Sequence, residues 1–274
     1  MSGPTITGIV RSLRSLTTPL AFDPADAAHM DLVYQARAGR GVPPLVDVYL
    51  PDGPGPHPSM VLVHGGGWIL GNRRMKPMRY LATELVKAGF AVAVGEYRMV
   101  FRGGRIGEAV ADVASKVGWW FDQAEEYDLD PDAVHMMGLS AGATLMLLAA
   151  AEHRDRSFKR LVSVFGVYDF EGMSGGIGSL IKPLLLEGRD PKSVSPLHID
   201  HLPWPITLMH GTDDALVPHE QAVALRDRRL ADGLAVDLLS YEGQPHAFFN
   251  DATSAICQQA TRDLLAALGV TAPG

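Results

Sequence analysis

The sequence predicts an α/β fold with a mostly parallel central sheet and helices on both of its faces. Short apolar runs typical of buried strands alternate along the chain with segments whose length and periodicity are typical of helices. The chain has 274 residues, of which 47% are hydrophobic and 20% charged. This size and composition allow one domain with a full core, and they exclude a disordered, coiled-coil or collagen-like protein.

The elements follow in chain order. Segments 30–36 and 45–50 alternate apolar and polar residues and are separated by a turn-rich stretch, so we expect them to form an antiparallel edge. The proline-rich segment 51–58 is expected to be a loop. Strands separated by helices pair in parallel through βαβ units. The remaining strands are predicted at 60–63, 90–94, 133–137, 160–165, 206–209 and 235–240, and the helices at 75–88, 106–126, 141–153, 220–231 and 253–268.

Segment 166–202 interrupts this alternation with a cluster of glycines and an apolar patch. Irregular segments of this length inside a compact domain usually carry function or have structure of their own. We expect it to form a small lid over the sheet edge where the parallel strands end, with residues 1–30 as a further candidate part of the lid. An ordinary excursion containing a helix is the alternative.

Composition and charge narrow the function classes. The net charge of −7 disfavours a non-specific nucleic-acid binder. The single cysteine, Cys257, excludes an intrachain disulfide and a cysteine-rich metal site, and we expect it to be a small buried side chain in the last helix. No apolar run is long enough to span a membrane, and segment 5–20 lacks the features of a signal peptide, so a cytoplasmic location is expected.

The segment Gly138-Leu139-Ser140-Ala141-Gly142 stands between a predicted strand and a predicted helix. Flanking glycines let the strand and the helix approach each other around a strained turn that exposes the serine. The dipole of the following helix favours negative charge near that serine. The pattern therefore predicts Ser140 as a nucleophile, and the alternative, a helix N-cap, explains the serine but not both glycines.

A second glycine-rich turn, His64-Gly65-Gly66-Gly67-Trp68, follows the strand at 60–63. Consecutive glycines cost backbone entropy, and they suit a backbone that must approach a ligand closely with its N–H groups free. We therefore predict an oxyanion hole formed by the N–H groups of Gly66, Gly67 and Ala141. A phosphate-binding loop is disfavoured because the required lysine or dinucleotide pattern is missing. His64 is expected to hold the loop by a hydrogen bond.

A nucleophilic serine needs a general base and an acid that orients it, and in this arrangement both follow the serine in the chain. We predict His246, in the loop after the last strand, as the base; His219 is the alternative and reads as a helix-cap residue. Asp214 is the preferred acid, because the three loop residues before it let the chain turn away from the strand. Asp213 is expected to brace the same loop, and Asp169 is a distant third candidate.

A substrate pocket is predicted from apolar residues near these turns. Such a lining favours short or medium acyl chains, or aromatic esters, over charged substrates. The candidates are Trp68, Ile69, Leu70, Phe101, Ile177, Leu180, Ile181, Val217 and Phe248.

Four motifs in this order resemble one known family: 64–68, 138–142, His210-Gly-Thr-Asp-Asp214 and Pro245-His246. Over roughly residues 45–268 the chain is similar to hormone-sensitive-lipase-like esterases of the α/β-hydrolase superfamily. Segment 46–51, Val-Asp-Val-Tyr-Leu-Pro, also resembles the acetylxylan/feruloyl esterase and arylformamidase branch. The resemblance implies an α/β-hydrolase fold and the roles given above for the serine, acid, base and oxyanion donors. Glu96 and Ala143 depart from the family pattern.

These observations together predict a carboxylic-ester hydrolase that acts through an acyl-enzyme. Hydrolysis of an amide bond, as by an arylformamidase or a peptidase, is the alternative, and a non-catalytic small-molecule receptor is a third hypothesis. The histidines show no paired metal-ligand spacing, so neither a metal nor another cofactor is expected. The expected partner is a small-molecule ester, without nucleic acid. A homodimer is compatible with the sequence, which does not indicate the oligomeric state.

Overall fold

The computed structural model describes residues 20–36, 43–173, 176–199 and 202–270, with the side chains of 176–179 left out. Most of the predicted contribution of residues 1–30 to a lid therefore lies outside the described residues. Within the described ranges, no helix combines the length and the apolar character that crossing a bilayer requires.

The sheet has eight strands in the order β1-β2-β4-β3-β5-β6-β7-β8. The two pairings at the β1 end are antiparallel, and the other five are parallel. This confirms the predicted fold class and the antiparallel edge. The strands are β1 His29–Val33, β2 Leu45–Tyr49, β3 His57–Val63, β4 Ala91–Gly95, β5 Leu129–Leu139, β6 Arg160–Val164, β7 Ile206–Gly211 and β8 Val236–Tyr241.

Six α-helices accompany the sheet in the described part of the chain. Five of them confirm the predicted helices, although α2 ends before the predicted residue 126. The additional helix, α4, lies in the segment that interrupts the alternation. The helices are α1 Lys76–Lys87, α2 Ile106–Asp122, α3 Ala141–Ala151, α4 Gly176–Leu186, α5 Glu220–Ala231 and α6 Ala255–Ala267, with short 3-10 turns at Val100–Arg102, Pro191–Val194 and Phe248–Asn250.

The structure corrects the predicted loop at 51–58, because its last two residues belong to β3. The N–H of His57 donates to the carbonyl oxygen of Asp128 at 2.7 Å, and His57 pairs with Leu129. Pro58 lies where the register shifts between His57 and Ser59. A proline is tolerated inside a strand at such an irregularity because no ladder hydrogen bond is required of it there. The proline content therefore hid the start of this strand.

The core has two apolar layers, one on each face of the sheet. Alternate residues of β3 point to opposite faces, as the period of a strand requires. Val61 and Val63 belong to the layer that includes α2, α3 and α5, whereas Met60 and Leu62 belong to the layer that includes α1 and α6. Both layers bury strand residues completely, which explains why these strands have continuous apolar sequences.

The sheet order brings several loops to one edge. In open parallel sheets, ligands bind outside the carboxyl ends of the strands. Here the residues that directly follow β3, β5, β7 and β8 begin the loops that contain His64, Ser140, Asp214 and His246. The fold therefore collects every motif of the predicted site at this edge.

Candidate active site

Ser140 stands at a sharp turn between β5 and α3. Its backbone has φ +52° and ψ −121°, a conformation that is strained for a residue with a side chain. A Cβ atom at Gly138 would lie 2.7 Å from the Cα atom of Ala143, and one at Gly142 would lie 2.8 Å from the carbonyl carbon of Val63. Only glycine fits at these two places. The pentapeptide thus allows helix, turn and neighbouring strand to pack closely with the serine at the tip.

Three side chains from separate loops form one chain of hydrogen bonds. The Ser140 Oγ atom lies 2.9 Å from the Nε2 atom of His246. The opposite ring nitrogen, Nδ1, lies 2.6 Å from Asp214 Oδ2. With the Nδ1 proton donated to the carboxylate, Nε2 is left as the acceptor for the serine hydroxyl. This geometry allows the serine proton to pass to the imidazole.

The carboxyl group of Asp214 is fully buried and carries several hydrogen bonds. Its Oδ1 atom accepts from the backbone N–H groups of Leu216 and Val217, each at 2.9 Å. Burial alone would raise the pKa of Asp214, but the charge of His246 and the hydrogen bonds of His210, His246 and Val217 hold that pKa well below its usual range. Asp214 is therefore ionised wherever the protein is folded near neutral pH.

The glycine-rich turn after β3 presents backbone donors beside Ser140. Gly66 and Gly67 have φ +122° and +61°, and the Gly66 carbonyl accepts from Leu70 at 2.9 Å, which closes the turn. Within the described residues, no acceptor is assigned to the N–H of Gly66, Gly67 or Ala141. The first N–H groups of a helix have no partner within the helix, which explains why the N–H of Ala141 is unpaired. These three groups are free to bind an oxyanion.

A buried charge network lies behind this turn. His64 stacks on Tyr97 with ring centroids 4.2 Å apart, and the Tyr97 hydroxyl donates to the His64 carbonyl oxygen at 3.0 Å. The Nε2 atom of His64 lies 3.6 Å from Glu96, which also pairs with Arg73 at 2.9 Å. Arg73 extends the network to Asp47 at 3.0 Å. The Nδ1 atom of His64 lies 2.8 Å from the carbonyl oxygen of Gly65, which confirms the predicted hydrogen bond to the glycine-rich loop.

The alternative site residues lie elsewhere. Asp213 is exposed, and its backbone N–H donates to the Gln244 carbonyl at 3.1 Å. Asp169 lies 3.7 Å from His198. His219 contacts Ser240 Oγ at 2.8 Å. The structure thus brings Asp214 and His246 to Ser140, and it does not bring the other three candidates there.

The nine predicted pocket residues fall into different environments. Trp68, Ile181, Val217 and Phe248 are buried in the core, and Ile69 is half-buried. Trp68 packs against Phe170, whereas Phe248 packs on the opposite face of the sheet. Leu70, Phe101 and Leu180 are 53%, 72% and 74% exposed. The side chain of Ile177 is outside the described residues. The pocket assignment therefore stays a prediction.

Sequence reasoning missed two polar residues around this site. His210 belongs to one of the motifs but has no predicted role, yet its Nε2 atom lies 3.2 Å from Asp214 Oδ2. Gln221 binds the loop after β6, because its Oε1 atom accepts from the N–H groups of Tyr168 and Asp169 at 2.7 Å. The spacing of four residues between His210 and Asp214 was the available signal for the first, and the sequence offered none for Gln221.

One group of side chains has the donor atoms of a metal site. Ligand atoms of Asp169, Glu171 and His198 lie within 4.8 Å of one another. The group is largely exposed, and Glu171 is already paired with Lys192 at 3.4 Å. It does not contact the serine, the acid or the base, so no step at Ser140 depends on it.

Comparisons with known proteins show similarity to ester hydrolases. The chain is 30% identical to a probable isoprenylcysteine alpha-carbonyl methylesterase of Oryza sativa subsp. japonica over 73% of this chain and 54% of the relative. It is 29% identical to the probable carboxylic ester hydrolase LipM of Mycobacterium tuberculosis over 64% of this chain and 45% of the relative. The chain therefore spans about half the length of these curated relatives.

A solved structure, the thermophilic esterase Est2 of Thermogutta terrifontis, superimposes with a TM-score of 0.71 at 25% identity, covering 90% of this chain and 94% of that chain. The family model BD-FAE matches residues 46–228, which include the serine and the acid. On this match the chain belongs to the BD-FAE family, a hormone-sensitive-lipase-like family of α/β-hydrolase esterases.

Proposed function

We propose that this protein is a serine carboxylic-ester hydrolase that uses Ser140 as nucleophile, His246 as general base and Asp214 as the orienting acid. The observation that carries the proposal is the unbroken chain of hydrogen bonds from Ser140 Oγ through the imidazole to the buried carboxylate, at 2.9 and 2.6 Å. A nucleophile, a base in contact with it and a third group that orients the base are the minimum for this chemistry.

The proposed reaction has two halves. Ser140 Oγ attacks the ester carbonyl carbon while His246 Nε2 takes the hydroxyl proton, and the carbonyl oxygen becomes an oxyanion. The imidazolium then protonates the leaving alcohol, which leaves an acyl-enzyme on Ser140. In the second half, water attacks the acyl carbon with His246 as base, and the acid product is released.

Charge stabilisation comes from groups already in place. The N–H groups of Gly66, Gly67 and Ala141 are proposed to bind the oxyanion, and the N-terminus of α3 adds its partial positive charge. The buried anion of Asp214 stabilises the imidazolium that forms on His246. Because these groups are ordered before the substrate arrives, little reorganisation is needed during the reaction.

The substrate class is proposed from the loops around the site. Leu70, Phe101 and Leu180 expose most of their apolar side chains. We propose that these side chains line the substrate site, where apolar side chains would favour apolar ligands, and we therefore assign short or medium acyl esters or aromatic esters. Segment 166–202, which contains α4, is proposed to act as a small lid. The names of the relatives describe ester hydrolysis, which supports an ester over an amide.

The central experiment measures hydrolysis of aryl esters of increasing acyl length by the wild type and by Ser140→Ala. We expect the variant to lose several orders of magnitude in kcat and all labelling by a fluorophosphonate. If Ser140→Ala kept most of its turnover, the assignment of the nucleophile would be wrong. Parallel assays with N-formyl arylamines and peptide amides test the amide alternative.

The acid has a matched control in the neighbouring residue. Asp214→Asn is expected to lower kcat by about 10⁴-fold, because the imidazole loses the partner that fixes its tautomer. Asp213→Asn removes the same charge one residue away, from an exposed side chain, and should leave kcat within about threefold of the wild type. Equal losses in the two variants would contradict the assignment of Asp214.

A further inference from the structure

His210 makes a second histidine contact with the proposed catalytic acid. It lies at the end of β7, is completely buried, and places Nε2 3.2 Å from Asp214 Oδ2. The same nitrogen lies 2.9 Å from the carbonyl oxygen of Val217. Asp214 Oδ2 is also the atom that meets His246 Nδ1. One carboxylate oxygen is therefore shared by two imidazole rings.

The surroundings of the ring define where its proton lies. Nε2 faces two acceptors, the Asp214 carboxylate and the Val217 carbonyl, so it must be the protonated nitrogen. Nδ1 is buried and has no hydrogen-bond partner among the described residues. A proton there would leave a buried donor unsatisfied, which is costly. His210 therefore acts as a neutral donor whose single N–H is divided between the two oxygens.

We propose that His210 is a positioning residue for the reaction: its Nε2–H fixes Asp214 Oδ2 towards His246 and withdraws charge from that oxygen. The inference rests on the function proposed above. Asp214 Oδ1 is fixed by the N–H groups of Leu216 and Val217, which leaves Oδ2 dependent on the two imidazoles. Without His210, Oδ2 has His246 as its single side-chain donor in the described part of the chain.

This arrangement has a predictable effect on the pH profile. A carboxylate oxygen that loses one donor becomes more basic, and it then binds the protonated form of its other partner more strongly. The imidazolium form of His246 would be favoured, so protonation would inactivate the general base at a higher pH than in the wild type. Removing the His210 donor should therefore move the acid limb of the kcat/KM profile upward.

Two other ionisable side chains, His219 and Tyr168, lie near His210 and Asp214. His219, at the start of α5, packs its ring edge against His210 with centroids 5.7 Å apart but hydrogen-bonds to Ser240. Tyr168, from the loop after β6, interacts with Asp214 through charge only. Burial lowers the pKa of His219, and the charges of Glu220, Arg226 and Glu242 act on that same ring. None of these groups donates a hydrogen bond to Asp214 within the described residues.

The experiment compares three variants of the full chain. His210→Phe keeps a ring but removes the donor, His210→Gln keeps an N–H near the position of Nε2, and His219→Phe keeps the ring contact with His210 without touching the acid. For His210→Phe we expect kcat to fall about tenfold with KM nearly unchanged, and the acid limb to rise by about half a pH unit. His210→Gln should restore both within error, and His219→Phe should leave the acid limb in place.

A second measurement does not need a substrate. The proton between His246 Nδ1 and Asp214 Oδ2 should give a downfield NMR resonance, which is expected to move in His210→Phe and to return in His210→Gln. If His210→Phe does not fold, His210→Asn serves instead, because its shorter amide reaches the Nδ1 position but not Asp214. Thermal unfolding of every variant separates a loss of stability from a shift of the acid limb.

The outcomes separate this inference from the proposed function. If the wild type neither hydrolyses esters nor takes up a fluorophosphonate, the proposed function fails, while the NMR comparison still tests the contact. If the wild type is active and His210→Phe shows only lower stability, with an unmoved acid limb and resonance, the positioning role is overturned. An equal shift in His219→Phe would also overturn it, because loss of a nearby imidazole that makes no hydrogen bond to Asp214 would then have the same effect.

Discussion

Adding a single methyl group to the proposed oxyanion turn should lower activity much more at Gly66 than at the adjacent Gly67. Gly66 and Gly67 both have positive φ, at +122° and +61°. Alanine keeps the backbone N–H at either position, so Gly66→Ala and Gly67→Ala test where the donors lie and do not remove them. The difference in activity between the two variants therefore reports how strongly catalysis depends on the position of these N–H groups.

The distances around each glycine show how much an added Cβ atom would disturb the turn. A Cβ atom at Gly66 would lie 2.6 Å from the carbonyl carbon of Leu70 and 3.2 Å from the nitrogen of Gly71, and backbone atoms cannot move aside cheaply. At Gly67 the nearest atom would be Ile69 Cγ1 at 4.0 Å, an ordinary contact. Its φ lies close to the left-handed well, where alanine pays roughly 1–2 kcal/mol. Gly66→Ala must therefore reshape the turn, whereas Gly67→Ala need not.

The assay is kcat/KM for an aryl butyrate, with thermal unfolding as the control for folding. Displacing one oxyanion donor costs about 10²–10³-fold in rate, so Gly66→Ala should fall at least about 100-fold. Gly67→Ala should stay within about tenfold of the wild type while losing a little stability. The reasoning is refuted if a folded Gly66→Ala keeps more than about a tenth of the wild-type rate, or if both variants lose the same amount.

Three further predictions concern buried groups away from the reacting atoms. Arg73→Met should lower the free energy of unfolding in urea by roughly 3–5 kcal/mol, because Glu96 would remain buried without its arginine partner while Asp47 keeps Arg74 at 2.7 Å; a loss below about 1 kcal/mol would contradict this. Burial lowers the pKa of Lys116 to about 8 from the ordinary lysine value of 10.5. Between these two pH values the unfolded chain binds the extra proton, so the free energy of unfolding should rise with pH there. Lys116→Met should abolish that rise, and an identical pH dependence in both proteins would refute it. Burial raises the pKa of Cys257 to about 12 and the side chain is inaccessible, so a thiol reagent should modify it only after unfolding; rapid labelling of the native protein would contradict this.

The parts of the fold that sequence reasoning predicted are those with a local signal. Completely buried strands such as Ala91–Gly95 show as continuous apolar runs, and helix α5 was predicted with its observed ends. The start of β3 was missed because the proline at 58 is a strong loop signal, and only pairing with Leu129 overrides it. Helix α4 was left open between two interpretations, since its glycines and Pro183 weaken the helical pattern.

Some residues of the candidate site could be predicted from local sequence, whereas others could not. The choice of Asp214 over Asp213 followed from the loop residues that precede it, and the structure places Asp214 at 2.6 Å from His246; its role in catalysis stays a prediction. Gln221 and Arg73 could not be found from the sequence. Gln221 contacts residues more than fifty positions away, and Arg73 meets Glu96 and Asp47 through the fold alone.

The position of the charge network has a physical rationale. Burying ions costs desolvation energy that apolar packing would avoid, so such networks are poor devices for stability alone. The network reaches the glycine-rich turn after β3 through Glu96, which lies beside His64. The glycines of this turn give its backbone more conformational freedom than other residues would. A flexible segment that must hold free N–H groups in fixed positions needs directional contacts, which charged hydrogen bonds supply and apolar contacts do not. The network therefore costs stability at the place where it fixes the proposed oxyanion donors, and Arg73→Met should lower activity even at temperatures where the variant remains folded.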